Sequence, residues 1–221
     1  MILAHPQISS VLELSGAYVA SLVIEAPDFY RSVILDFYEQ LNGFPGQWVL
    51  SEENVIKPIS THLEFIDNCL QLDMNRKPIL NKVYGVLERT ALSEGFYLKT
   101  TTLLSELEAY MDSLTFTLPC DILCEKSSVN GLIKAMGVSL RDDYEDPLER
   151  LLDYMELIRE FSQNKLFVIA GLRSLFSDAS LAQFLKTVTD HDYRVLLLDC
   201  VDKPKLPLER RLTIDKDLCE F

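Results

Sequence analysis

Glycine is scarce in this chain, eight in 221 residues, and none of the eight is followed by lysine. The phosphate-cradling loop GxxxxGK[ST], whose backbone amides and lysine hold nucleotide phosphates, is therefore absent. Linkers rich in Gly, Ser or Pro are missing too, as are internal repeats and low-complexity segments. A two-part chain would then have to be built by insertion or by continuous helices. No apolar run approaches the ~20 residues of a membrane-spanning helix. The N-terminal MILAHPQISSVLEL has no basic start and no continuous apolar stretch, and it carries Glu13. A signal peptide is not expected from it, and the expected location is the cytoplasm, without a membrane. The five cysteines, Cys69, Cys120, Cys124, Cys200 and Cys219, form no CxxC pair. That pattern excludes a disulfide framework and points to reduced thiols. Cys120 and Cys124 have no second pair to complete a zinc site. His5, His62 and His191 are scattered, and neither GxSxG nor HExxH occurs, so no hydrolytic constellation is in view.

Positive charge is also short: 21 Lys and Arg against 34 Asp and Glu, a net charge of -13. A surface of that sign repels phosphates and argues against nonspecific wrapping of nucleic acid. Charges segregated onto different faces still leave room for a local basic patch. The basic residues cluster only at Arg76-Lys77, Lys203 with Lys205, and Arg210-Arg211, while Lys82, Lys134, Arg141 and Lys165 stand singly. A single lysine is usually just solvated. It gains force where symmetry gathers copies around a DNA axis, because each phosphate contact adds to counterion release.

What is present reads as α/β. A chain this long buries roughly 70% of its unfolded surface and needs no metal or disulfide to fold. Ala17–Ile24 (AYVASLVI) is an apolar, β-prone run, and an amphipathic stretch, Phe29–Leu41, follows it and ends at Gly43. Trp48–Leu50 and His62–Asp67 read as short strands. The middle of the chain is helical. Ile79, Val83, Val86 and Leu87 share one face, with Pro78 in a first turn where proline is tolerated. Leu103, Leu107, Tyr110, Met111 and Leu114 form a second stripe at helical spacing. The two helices suggest an antiparallel hairpin turning near Gly95.

Further on, Asp146-Pro147-Leu148-Glu149 has the form of an N-cap with a first-turn proline and an acid three residues on. Leu148, Leu151, Leu152, Met155, Ile158 and Phe161 repeat behind it as a helix face. Leu166–Ala170 (LFVIA) and Val195–Leu198 (VLLL) flank a helix that opens at Ser177-Asp178 and carries Leu181, Phe184, Leu185 and Val188. Two wholly apolar strands around a helix make a βαβ unit in a parallel sheet covered on both faces. The expected architecture is an α/β head, 1–75 and 141–221, interrupted by an α-helical insertion, 76–140.

Two acidic features bear on chemistry. Asp199 ends the VLLL run, as does the acid that positions magnesium in nucleotide-hydrolysing folds. The turn after the first strand reads Glu25-Ala26-Pro27-Asp28, however, with acids where phosphate charge would sit, so no nucleotide cofactor is expected. Acids also crowd 142–146 (Asp142, Asp143, Glu145, Asp146), and Asp121 and Glu125 precede the helix near Ser127. Such groups hold Ca²⁺ only when about six to eight oxygens converge. Capping and helix-dipole matching is the simpler account of 142–146.

The order of these pieces resembles a known family. Leu70–Glu88, then LIKAMGV at 132–138, then Asp146–Gly171 and RVLLLD at 194–199 resemble the type II-A CRISPR-associated spacer-acquisition protein, and the likeness runs from about Leu14 to the C-terminus. The resemblance implies a degenerate, P-loop-NTPase-like head with a mostly parallel sheet and an inserted helical part. It implies a non-catalytic homotetrameric ring that threads onto double-stranded DNA ends and slides without sequence preference. It also implies calcium as the ion holding the ring, and the adaptation integrase complex and the RNA-guided effector nuclease as partners.

By position, the resemblance makes Lys134 the foremost DNA-binding residue, then Lys82 and Lys165; Arg141 is added on charge and proximity. The family's alternating acidic run before the LIK helix is reduced here to Asp121 and Glu125, the candidate Ca²⁺ ligands. Lys126 stands where another acid is expected. That erosion and the acidic balance keep an alternative open: a structural partner of the integrase complex with little DNA affinity of its own.

Overall fold

The computed structural model describes residues 1–117, 119–120, 122–162 and 165–221. The chain divides into two compact units, 1–72 with 144–221, and 73–143.

The first unit is organised by a five-stranded sheet. Its strands are β3 (Val19–Ile24), β6 (Leu63–Ile66), β7 (Leu166–Ala170), β8 (Arg194–Asp199) and β9 (Glu209–Ile214), in the order β6-β7-β8-β3-β9. All pairings in it are parallel. Every residue of β3 and β7 is buried, and all of β8 beyond Arg194. Such strands need cover on both faces. One cover is α1 (Pro27–Leu41), whose Phe29, Val33 and Phe37 form one core with Ala20, Leu22, Ile24, Leu196 and Leu198. Trp48 stacks on Phe37 at 4.8 Å between ring centroids. The opposite face receives α8 (Asp178–Asp190), which packs on β3 and β8 through its four apolar residues. Between β7 and α8 lies one short helix, α7 (Leu172–Leu175).

Preceding β7 is α6 (Pro147–Phe161). Asp146 caps it, accepting from the Leu148 N–H at 2.9 Å. Its buried face includes Tyr154, whose hydroxyl donates to Glu64 on β6 at 2.5 Å. Tyr154 joins the face that Leu148, Leu151, Met155 and Ile158 form. Leu152 and Phe161 are only half-buried.

A second sheet was not anticipated. The strands β1 (Ile2–Ala4), β2 (Leu12–Glu13), β4 (Val49–Glu52) and β5 (Val55–Lys57) pair antiparallel in the order β2-β1-β4-β5. The β4–β5 turn places Glu53 at φ 51° and Asn54 at φ 63°, a two-residue hairpin loop of primed type. Strands of two to four residues offer too short an alternation to stand out. The strand expected at His62–Asp67 is shorter, Leu63–Ile66, because His62 closes a helical turn, α2 (Ile59–His62).

The second unit holds α3 (Lys77–Ala91), α4 (Tyr97–Thr115) and α5 (Val129–Ala135). Pro78 lies in the first turn of α3, as expected. The stripe on α4 is not a core face. No residue of that helix is buried, and Leu103, Leu107, Tyr110, Met111 and Leu114 are 37–59% exposed. The periodicity is real, but nothing among the described residues of the chain covers it.

Replacing Phe37 by Ala removes the ring on which Trp48 stacks from a fully buried site. A loss of about 3–5 kcal/mol is expected, read from the shift of the urea unfolding midpoint.

Candidate nucleic-acid interface

The eight basic residues between 73 and 143 stand against ten acids, whereas the rest of the chain carries thirteen against twenty-four. The helical unit is therefore almost neutral, and the acidity of the protein belongs to the α/β unit. Charge is thus segregated between the two units.

Lys134 lies in the last turn of α5 and is exposed. A cation there also complements the negative end of the helix. The helix starts at Ser128, whose hydroxyl accepts from the Gly131 N–H at 3.0 Å. It stops before Gly137, at φ 64°, a backbone state that glycine adopts without steric cost. Four hydrogen bonds from three side chains tie α5 and its tail to α3 and the residues just before it. The Asn75 side chain donates to Leu140 O at 3.0 Å and accepts from Leu140 N at 2.7 Å. The Tyr84 hydroxyl donates to Val138 O at 3.0 Å. The Asn130 amide donates to Glu88 at 3.4 Å.

Lys82 is also exposed, on α3. Two residues along a 3.6-residue helix turn it roughly 200° from Tyr84, away from the side that meets α5. A single copy of the unit does not gather Lys82 and Lys134 into one patch. Arg141 is exposed but forms an ion pair with Asp143. That hydrogen bond holds the Asp143 carboxyl below its ordinary range. With Asp142 adjacent, the cluster offers no net positive charge.

Lys165 lies in the other unit, at the start of β7. Its ammonium pairs with Glu64 at 3.3 Å, and both side chains are nearly buried, 13% and 11% exposed. The sequence gives no sign of this partner, which lies 101 positions away.

Asp121 lies outside the described residues. Glu125 is exposed in the irregular stretch before α5, and nearby Glu108 accepts from the Ser127 N–H at 2.8 Å. Among the described residues no group of three or more His, Cys, Asp or Glu side chains converges as metal ligands. Asp143 is held by Arg141, and Asp146 caps α6. The described donors do not by themselves supply the six to eight oxygens that Ca²⁺ takes, and Asp121 stands outside them.

The five cysteines are free thiols, and only Cys69 is buried. No helix of the described residues is long and apolar enough to cross a membrane. Asp199 is the outlying group. It is 2% exposed, and both carboxylate oxygens lack a hydrogen-bond partner. Burial lifts its pKa to about 6, although Arg173 pulls the other way.

These features define a class: a mixed α/β protein with a parallel five-stranded sheet, a separate helical unit and no phosphate loop. The model of the CRISPR-associated protein (Cas_Csn2) family matches residues 42–218, and the chain belongs to that family. Membership implies a role in CRISPR adaptation. Among solved structures the chain is similar to Stu0660 of Streptococcus thermophilus. The TM-score is 0.59 at 12% sequence identity, over 97% of this chain and 75% of that one, a likeness of fold. No curated protein matches.

Asn75→Ala removes both bonds that fix Leu140 beside α3. At about 1 kcal/mol for each buried hydrogen bond, the Leu140 amide is expected to exchange about 5- to 30-fold faster with deuterium.

Proposed function

We propose that this protein is a non-catalytic CRISPR adaptation factor that assembles as a homotetrameric ring, threads onto double-stranded DNA ends and slides along them. Family membership over residues 42–218 carries the reading. Two features of the molecule support it. The helical unit is nearly free of the net negative charge that would repel DNA, with Lys134 exposed on it. The uncovered stripe on α4 is a surface of the kind that self-association buries.

In this reading the α/β unit is a degenerate P-loop-NTPase-like head. Its first parallel strand, β3, runs into α1 through Glu25-Ala26, and Asp199 ends the neighbouring strand β8. No nucleotide hydrolysis is assigned to it. DNA binding comes from copies of Lys134, with Lys82 contributing from its own side of α3 and Lys165 and Arg141 less, since each is already ion-paired. Asp121 and Glu125 are assigned to calcium only as part of a larger ligand set. The cytoplasm is the location, and the integrase complex and the effector nuclease are the partners.

A second reading is favoured by those same ion pairs. With Lys165 and Arg141 neutralised, the protein is a structural partner of the integrase complex with little DNA affinity.

Gel mobility of equal-length linear and covalently closed circular duplexes separates the two. The ring shifts linear DNA only, and the shift weakens steeply with salt. Equal shifts mean side-on binding, and no shift in calcium or in chelator supports the structural partner. Lys134→Glu combined with Lys82→Glu is expected to lower affinity for linear DNA at least ten-fold while light scattering still reports a tetramer. Unchanged binding would remove these lysines from the interface.

A further inference from the structure

The connection from β8 to β9 is unusual for a parallel sheet. Both strands flank β3, so the chain must recross the length of the sheet, and it does so in residues 200–208 without a helix. Crossovers of this kind normally take a dozen residues or more, usually with a helix. Arg211 is paired with Ser21 and therefore shares its face, as does Asp199, paired with Val23. The strap is tied down on that face, opposite α1.

Its fastenings are almost all side chains. Arg173 donates to Pro204 O at 2.7 Å, and Lys203 returns a bond to Arg173 O at 2.7 Å. Arg211 binds Asp202 at 2.7 Å and also Lys203 O. Glu209, itself held by Arg211, accepts from the Leu206 N–H at 2.8 Å. Among the described residues, main-chain bonds are confined to the strap's end, from Val19 N to Leu208 O and from Glu209 N to Leu206 O.

Beneath this strap lie unsatisfied buried atoms: Ser21 Oγ, both oxygens of Asp199, and Nε and Nη1 of Arg173. Asp199 is the residue at which the strap begins. Orphaned buried polar groups are rare enough in native proteins to require an explanation, and a carboxylate left without partners favours any state that returns it to water.

We propose that segment 200–208 is a proton-operated latch on the α/β unit, closed when Asp199 is protonated and loosened when it is ionised. The charged groups that act on Asp199 are Arg173 from α7, Lys203 from the strap and Glu209 from β9, while Tyr30 of α1, across the sheet, feels both Asp199 and Cys200. The Arg173 backbone N–H points at the carboxylate closely enough to lower its pKa, although neither oxygen has a partner within full hydrogen-bond geometry. Arg173 and Lys203 favour the ionised form, yet burial outweighs them and the closed-state pKa is about 6.

In an open strap the carboxyl meets water, and its pKa returns toward 3.9. The closed state thus binds the proton more tightly. Its advantage is fully present below the lower pKa and is lost as pH rises through about 6. At neutral pH the latch is on its loosened side, and Asp199 and Arg173 become accessible to water at the carboxyl edge of the sheet.

Hydrogen exchange read by mass spectrometry tests this on the full chain. The ratio of exchange rates in 200–208, wild type over Asp199→Asn, is expected to rise about ten-fold between pH 5 and pH 8. The ratio for α8 should stay constant. A strap ratio independent of pH, or one that rises equally in α8, overturns the latch. If the variant does not fold, the wild type alone decides. Its protection in 200–208, corrected for intrinsic rates, must fall about ten-fold over that range while that of β8 does not; equal behaviour of the two segments refutes the proposal.

Discussion

Desolvation of the parallel strands is the constraint on which the α/β unit depends. The strands β3, β7 and β8 expose almost nothing on either face, and parallel strands of this kind are stable only when sandwiched. The arrangement of α1 on one face and α8 on the other follows from that need, as does the apolar character of each helix's inner side. The site where the cover is thinnest is also where polar groups collect. Between β8 and β9 no helix is available, and charged side chains fasten a bare strap instead. The unsatisfied atoms of Asp199, Arg173 and Ser21 sit where helix-on-sheet packing gives way to that substitute.

The same division orders the electrostatics. An α/β unit carrying thirteen basic and twenty-four acidic residues is poorly suited to phosphate, whereas a helical unit with eight and ten is close to balance. Net charge computed over the whole chain hides this. Near-neutrality is permissive and attracts nothing by itself. One copy places Lys82 and Tyr84, the residue that meets the tail of α5, on opposite sides of α3.

Legibility in the sequence tracked the length and purity of each pattern. Continuous apolar runs such as LFVIA and VLLL, and the long stripes of α1, α6 and α8, announced the parallel layer and its helices. Capping chemistry located Asp146 and Ser177 as helix starts, and both side chains take that role. Of the antiparallel sheet only the strand at Trp48–Leu50 is legible, because strands of two to four residues carry too little period to reveal their pairing. Pairings distant in sequence were equally hidden: nothing near Lys165 foretells Glu64, and nothing near Asp199 foretells its isolation. Candidate residues carried over by resemblance, chiefly Lys134, rest on position in a motif. Periodicity contributed nothing to their choice.

The α4 stripe shows what a pattern does and does not specify. Helical spacing of Leu103, Leu107, Tyr110, Met111 and Leu114 states that a face is to be buried; it does not state against what. Inside the chain the face has no cover among the described residues, and five large apolar side chains at 37–59% exposure are more than scattered surface hydrophobics. A helix with no buried residue draws little of its stability from tertiary packing, which is the usual source. Its amphipathic design makes sense if the missing cover is intermolecular. In the proposed assembly, folding of the helical unit and association would be one energetic problem, because the stripe would be buried only where partners meet.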